Sequence, residues 1–323
     1  MKTVQIQSIF PLRLGGSLLL AASLLACSSD GEHDPGSTSS AGTAGGGNEG
    51  AGGDGAGGGD AQGARCDPRK PFGSREVLEE IEGDVVSSWL TADELTILFS
   101  RETEDNDNEL FLATRPSRDA AFGAPRPLTG VNTRAAEYGA SMSPDGLSLY
   151  YISTAQACVS RRASTAEEFG PGELMTSDDV FLNGLQVVSG GIYYVTAYQA
   201  GDNELYFLAD PTDPLSEPYP AVEYDGRGER PGGGFHISSD GLTLLYSTAI
   251  SGDGSSTFYR ATRPSTEVPK FRDVEPIAEL NDPSLTPKVR TVSWVSDDGC
   301  VLYGPTGLSP ENQYDIVRAT RGR

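Results

Sequence analysis

Beyond residue 65 the chain is a succession of short apolar runs, each bounded by Gly, Pro, Asp or Ser. Alternation with a period of two marks half-buried strands, and the bounding residues mark turns. One unit reads Ser141-Met142-Ser143-Pro144-Asp145-Gly146-Leu147-Ser148-Leu149-Tyr150-Tyr151-Ile152-Ser153. It recurs as Ile237-Ser238-Ser239-Asp240-Gly241-Leu242-Thr243-Leu244-Leu245-Tyr246-Ser247 and as Trp294-Val295-Ser296-Asp297-Asp298-Gly299-Cys300-Val301-Leu302-Tyr303-Gly304. Weaker copies run from Leu90 to Ser100 and from Val187 to Thr196. Each predicts a strand, a tight two-residue Asp-Gly or Gly-Gly turn and an apolar second strand, because Gly takes positive φ without steric cost.

A third strand follows each hairpin, as in Glu109-Leu110-Phe111-Leu112-Ala113-Thr114-Arg115-Pro116 and Phe258-Tyr259-Arg260-Ala261-Thr262-Arg263-Pro264. Glu204 to Pro211 and Tyr314 to Arg321 are further copies, and Val159-Ser160-Arg161-Arg162 is the most altered. A fourth element closes the unit: Phe122-Gly123-Ala124-Pro125 leads to Leu128, and Phe169-Gly170-Pro171 leads to Leu174. Proline places this strand at a sheet edge, since it cannot donate to a ladder. A four-stranded antiparallel unit repeated every roughly 50 residues predicts an all-β propeller. The Ser-x-Asp-Gly hairpin and the Glu-Leu-Tyr/Phe-x-Ala/Leu strand resemble the TolB-like propeller repeat, over nearly all of Phe72 to Arg323. That resemblance implies a propeller fold and leaves the function open.

Five units predict five blades. The fifth lacks its outer strand at Arg323, whereas Phe72-Gly73 leading to Val77, Leu78 and Ile81 supplies one at the other end. The N-terminal strand is therefore expected to complete the last blade and close the ring. Cys66 then lies just before that strand, and Cys300 just after the Asp298-Gly299 turn of the same blade. In an up-down sheet these points fall at one end, so a Cys66–Cys300 bond is expected, leaving Cys158 as a buried free thiol.

The first 65 residues follow another logic. Lys2 and Arg13 precede an apolar run from Leu14 to Ala26 that suits the hydrophobic region of an export signal. It ends Leu24-Leu25-Ala26-Cys27, which resembles the lipobox of bacterial lipoproteins, with Leu25 where a small residue is commoner. The resemblance implies lipidation at Cys27, and Ser28 after it implies the outer membrane, with periplasmic or surface display left open. From Ser28 to Arg65 large apolar residues are almost absent, and 14 Gly fall between Gly31 and Arg65. Such a segment is expected to stay a disordered tether of about 35 Å root-mean-square span. The expected organisation is a signal over 1–26, a tether over 27–65 and a propeller over 66–323.

Charge narrows the partners. Without Lys2 and Arg13 the chain keeps 22 basic against 46 acidic residues, a net charge of −24. Nucleic acid and anionic lipid heads are repelled by such a surface, so membrane contact is expected through the lipid anchor only. Motifs for hydrolases, zinc proteases, phosphate loops and redox cysteines are absent, and no cofactor is expected. The acidic stretch Glu102-Thr103-Glu104-Asp105-Asn106-Asp107-Asn108-Glu109 carries oxygen ligands suited to calcium but lacks the turn Gly and closing Glu of a calcium loop. It reads as a solvated turn, and no metal residues are assigned. Candidate binding residues lie where the chain enters the first strand of each unit: Arg134, Glu137, Tyr138, Glu229, Arg230, Lys288 and Arg290, with His236 inside one such strand. The basic members serve either ligand binding or salt bridges between blades. The reading is a non-catalytic, monomeric binding or scaffolding module for an envelope protein, peptidoglycan or polysaccharide. The alternatives are a glycan hydrolase using Glu137 and Glu229 as its carboxylate pair and a calcium-stabilised structural module.

Overall fold

The computed structural model describes residues 65–323 except 82, 104–107, 176–181, 189–190, 197–203, 209–218, 224–229, 249–255 and 307–313. The signal-like stretch, Cys27 and the Gly-rich segment lie outside the described residues. Strand β1 (Phe72–Val77) comes first in sequence but belongs to the last sheet. Blade one comprises β2 (Val85–Leu90), β3 (Thr96–Glu102), β4 (Asn108–Thr114) and β5 (Arg126–Pro127). Blade two comprises β6 (Glu137–Met142), β7 (Ser148–Ser153), β8 (Gln156–Arg161) and β9 (Glu173–Leu174). Blade three has β10 (Leu182–Val188), β11 (Gly191–Thr196), β12 (Glu204–Leu208) and β13 (Tyr219–Pro220). Blade four has β14 (Pro231–Ile237), β15 (Thr243–Thr248), β16 (Phe258–Thr262) and β17 (Arg272–Pro276). Blade five is β18 (Trp294–Val295), β19 (Val301–Pro305), β20 (Ile316–Arg321) and then β1, antiparallel to β20. The chain is a five-bladed all-β propeller closed by its N-terminal strand.

Each inner strand packs on the next, β2 on β6, then β10, β14 and β18, and β18 returns to β2. The core is accordingly not central but lies as slabs between blades. Leu98, Leu128, Met142 and Phe169 fill the slab between blades one and two. Ile152, Leu182 and Ile192 lie between blades two and three, and Tyr193, Phe235, Leu244 and Phe271 between three and four. Phe258, Val295 and Leu302 fill the fourth slab, and Leu90, Phe99, Trp294 and Tyr303 the fifth. Three outer strands are only two residues long, shorter than the apolar pattern predicts, and two of them end on Pro127 and Pro220. Proline offers no N–H to continue the ladder.

The Ser-x-Asp-Gly turn differs from the two-residue hairpin expected of it. The amide of Gly146 donates to the carbonyl of Ser143 at 2.8 Å, which makes a four-residue turn, and Gly146 then sits at φ 71°. The Ser143 hydroxyl donates to Asp145 Oδ1 at 2.6 Å and accepts the amide of Ser148 at 2.9 Å, while Asp145 Oδ1 also accepts the amide of Leu147. The same three bonds recur at Ser238/Asp240, Ser296/Asp298 and Thr91/Asp93. Side-chain oxygens thus take up the turn amides that a tighter hairpin would pair across the strands. A second repeat feature ties the third strand to this turn. Arg115, Arg162, Arg263 and Arg321 each donate Nε to the carbonyl at the turn's last position, at 2.6–3.0 Å. Their guanidinium groups stack on Phe122, Phe169, Phe271 and Phe72 at 3.8–4.6 Å. Because Phe72 comes from β1, the N-terminal strand also fills the outer-strand role in this detail.

In blade one the left-handed turn position is held by Glu94 at φ 63°, where the others have Gly. Its carboxylate is 1% exposed and faces Arg65 at 2.5 Å, Arg115 at 3.6 Å and Arg118 at 3.7 Å. Arg65 also pairs with Asp298 at 2.8 Å, and Arg115 reaches the Tyr303 hydroxyl at 3.2 Å, so this network crosses the seam between blades five and one. Cys66 and Cys300 are disulfide-bonded beside it, across 234 residues of sequence. The expectation of a free thiol at Cys158 does not stand, because no described cysteine is free. Disulfides of this kind typically contribute about 2–4 kcal/mol. Cys66→Ser with Cys300→Ser is therefore expected to lower the melting temperature by roughly 5–15 °C, at about 2–4 °C per kcal/mol for a domain of this size. A thermal melt of the double variant beside the parent checks this.

Candidate functional site

The two faces of the ring differ in kind. One carries the Ser-x-Asp-Gly turns and, through Arg65 and Cys66, the start of the described chain. The other is made by the segments entering the inner strands and by the turns between second and third strands. Of the described candidate binding residues, Arg134, Glu137, Tyr138, Arg230, Lys288 and Arg290 belong to the segments that enter the inner strands.

Inside the ring, one position per blade makes contact with the next blade. It is held by Trp89, Ser141, Gln186, His236 and Trp294, which pair with Leu98, Tyr150, Tyr193, Leu245 and Tyr303 of the second strands. Ser141 Oγ accepts the amide of Val187 at 3.1 Å. Gln186 accepts from the Ile237 amide at 2.7 Å and donates to its carbonyl at 2.9 Å. His236 hydrogen-bonds the backbone of Val295, and its ring centre lies 6.0 Å from that of Trp294. Trp294 is buried in the slab at the seam, and Trp89 packs against the slabs on both sides of blade one. His236 therefore belongs to the wall between blades four and five and is buried there.

Burial pushes the His236 imidazole down to about 3 from an ordinary 6.5. The folded chain holds it neutral, while the unfolded chain takes up a proton below pH 6.5. Its contribution to stability is thus complete above pH 6.5 and is lost as pH falls toward 3, at about 1.4 kcal/mol per pH unit. His236→Gln is expected to flatten the acid side of the stability curve between pH 6.5 and 4, as read from denaturant melts at several pH values. An unchanged slope would show that the imidazole is not held neutral in the wall.

Glu137 pairs with Ser153 at the ladder step where the other blades place Val85, Leu182, Pro231 and Val289. A carboxylate thus replaces an apolar residue, and it is fully buried. Thr133 donates to it twice, by its hydroxyl at 2.6 Å and its amide at 3.2 Å, and the Ser153 hydroxyl donates at 3.1 Å. Desolvation raises the Glu137 carboxyl above its ordinary value against the pull of these bonds. Glu137 and Glu229 are the carboxylate pair of the hydrolase alternative. Pro231, not Glu229, stands at the Glu137 step of blade four, and Glu229 lies outside the described residues. Glu137 secures the loop before β6 and does not face an open channel.

The remaining candidates separate by charge pairing. Tyr138 is largely buried, donates its hydroxyl to the Leu182 carbonyl at 3.1 Å, and is pushed up to about 12 by desolvation. Arg230 makes an ion pair with Glu204 of the preceding blade. Arg134 and Lys288 are exposed and have no carboxylate partner among the described residues, and Arg290 lies 4.1 Å over the Tyr314 ring without one. Residues 104–107 of the acidic stretch fall outside the described residues; at its near end Glu102 is raised, first by desolvation and then by Asp84, with which it shares a hydrogen bond. No group able to hold a metal occurs among the described residues. Missed from the sequence was the β7–β8 turn, Thr154-Ala155, both in the left-handed region at φ 49° and 66°. Nothing in this dipeptide signals a two-residue hairpin, which normally takes Asn or Gly there.

No family model matches the sequence, and no curated protein matches it. Among solved structures, the catalytic domain of the Coprinopsis cinerea GH62 α-L-arabinofuranosidase aligns with a TM-score of 0.53 at 13% identity, covering 77% of this chain and 98% of that one. An α-L-arabinofuranosidase from Podospora anserina, in complex with cellotriose, aligns with a TM-score of 0.51 at 13% identity, covering 78% and 95%. TolB from Acinetobacter baumannii aligns at 0.43 and 13% identity over 75% of this chain, which spans 56% of that protein. At such identities the likeness is one of fold. It nevertheless overturns the expectation of a non-enzyme as far as that rested on architecture. Arabinofuranosidases share this propeller over almost their whole catalytic length, so the architecture gives no ground for excluding catalysis.

Proposed function

We propose that this chain is a lipid-anchored binding or scaffolding module of a bacterial cell envelope, holding a protein or glycan partner on its strand-entry face. The carrying observation is the distribution of paired and unpaired cations. Arg126, Arg161, Arg260, Arg272 and Arg318 are matched to Glu168, Glu173, Glu275, Glu223 and Glu76. Arg115, Arg162, Arg263 and Arg321 are committed to turn carbonyls. Among the described residues Arg134, Lys288 and Arg290 have no carboxylate partner, although the chain has a net charge of −22. Cations left without a carboxylate on this face of so acidic a protein favour a ligand that brings its own negative or polar groups.

The anchor reading is supported by Leu24-Leu25-Ala26-Cys27 and the Gly-rich segment behind it. Arg65 and Cys66, where the described residues begin, are tied to the turn face and not to the strand-entry face. Two measurements test the reading. Cys27→Ser is expected to move folded protein from the membrane fraction to the soluble one; membrane retention would remove the anchor. Photocrosslinking from positions beside Arg134 and Arg290 in the native envelope is expected to capture a discrete partner. Arg134→Ala, Lys288→Ala and Arg290→Ala combined should reduce that capture at least tenfold, at about 1–3 kcal/mol for a charged hydrogen bond. Capture unaffected by the triple variant would move the partner to another surface.

A further inference from the structure

We infer that Arg134 is the centre of a carboxylate-recognition site whose ligand is an acidic glycan, an inference that rests on the binding role proposed for the strand-entry face. The loop presenting Arg134 is fixed on every side. Asn132 accepts from the Leu110 amide at 2.9 Å and donates to the Leu110 carbonyl at 3.0 Å, like Asn281 on Phe258 in blade four. Thr133 is tied to the buried carboxylate of Glu137 by backbone and side chain, and its hydroxyl also accepts the amide of Ala135 at 3.0 Å. Between these two anchors Arg134 is the one exposed residue of 132–137, and it has no partner among the described residues. An apolar residue at the Glu137 step serves the other blades, so the fold alone does not call for this carboxylate. Its effect is to hold the Arg134 loop in one conformation, which lowers the entropy lost when the guanidinium binds.

The neighbouring turn carries the second observation. Thr154 and Ala155 both occupy left-handed conformations that disfavour a β-branched and an alanyl side chain. The strain is held by two backbone bonds, from the Thr154 amide to the Ala136 carbonyl at 3.3 Å and from the Leu182 amide to the Ala155 carbonyl at 2.8 Å. The first of these lands two residues from Arg134. Strained, over-determined backbone concentrates where a site must be pre-formed. Here it places an exposed Thr154 beside the Arg134 loop. A planar guanidinium, with an exposed threonine hydroxyl on the turn that is hydrogen-bonded to its own loop, matches a carboxylate set among hydroxyl groups, which is the chemistry of a uronate residue. A protein partner is disfavoured by the described surface, where Leu174 on β9 is the only exposed large hydrophobic residue. Protein interfaces draw most of their affinity from buried aromatic and apolar anchors, and among the described residues no such anchor is exposed near Arg134.

The test is calorimetric titration of the full chain in detergent with an oligogalacturonate, at low and at physiological salt. Three comparisons accompany it: the same oligosaccharide with its carboxyls reduced to alcohols, an oligoglutamate of equal charge, and Arg134→Ala protein. The expected result is binding of the oligogalacturonate that weakens with salt, is lost on carboxyl reduction and falls about 10- to 100-fold in Arg134→Ala. Arg134→Lys should recover only part of it, because an ammonium cannot make the paired contact. Unchanged melting of Arg134→Ala shows that the loss is local. Equal binding of the reduced oligosaccharide, or full binding by Arg134→Ala, overturns this inference while leaving the face a binding surface. Binding of oligoglutamate alone, or of no probe, also overturns it, and partner capture in the envelope then decides the broader reading separately.

Discussion

A single four-stranded sheet cannot bury both of its faces, so every blade of this molecule depends on having a neighbour on each side. Ring closure is the constraint on which the rest of the fold hangs, because an open array would leave two apolar slabs wet. The chain meets it by splitting blade five between its two ends, with β1 hydrogen-bonded to β20. Three further interactions act on the same seam: the Cys66–Cys300 bond, the Arg65–Glu94–Arg115 network and the stacking of Arg321 on Phe72. Glu94 shows how much weight the seam carries. A left-handed, buried glutamate is a poor choice for a turn, and it is tolerated because it meets three arginines there.

Inside the ring, one repeat position does the corresponding work at each blade junction, with a different chemistry each time. Ser141 and Gln186 reach the next strand through backbone hydrogen bonds. His236 does so as a neutral imidazole against Val295, and the tryptophans pack without needing a polar partner. Backbone groups of Val187, Ile237 and Val295, each one residue beyond the contact position of its own blade, recur as the target. The ladder's geometry therefore sets where the contact falls, and the side chain only has to supply length and polarity.

The fold was legible because its signals are local and periodic. Alternating apolar positions and the Ser-x-Asp-Gly motif located the hairpins, and the complementary loose ends at Phe72 and Arg321 located the closing strand. What the sequence concealed depends on three-dimensional pairing. Asp-Gly by itself predicts a two-residue hairpin turn, yet the motif's own Ser and Asp oxygens bind the turn amides and widen the loop to four residues. Thr154-Ala155 forms the narrow turn instead, held by bonds to Ala136 and Leu182 that no local reading can anticipate. The candidate site was legible only in outline. The entry segments were recognisable, but an ion pair with Glu204 separates the exposed Arg230 from Arg134 and Lys288, and burial separates Glu137 and His236 from them.

Glu137 joins the two halves of this picture. It stands on a core ladder step, and the carboxylate there takes nothing from the slab that a valine would not take better. Its hydrogen bonds run to Thr133 in the entry loop and to Ser153 at the start of the strained turn, so it ties both surface elements to the scaffold at one point. A buried charge held by neutral donors alone is a cost in stability. That cost falls where an exposed arginine is presented between two rigid segments and not elsewhere around the ring. The other four blades keep the apolar residue, and among their described entry residues none shows a comparable buried carboxylate. Blade two is therefore specialised relative to its repeats, and the specialisation concerns how firmly its surface is held.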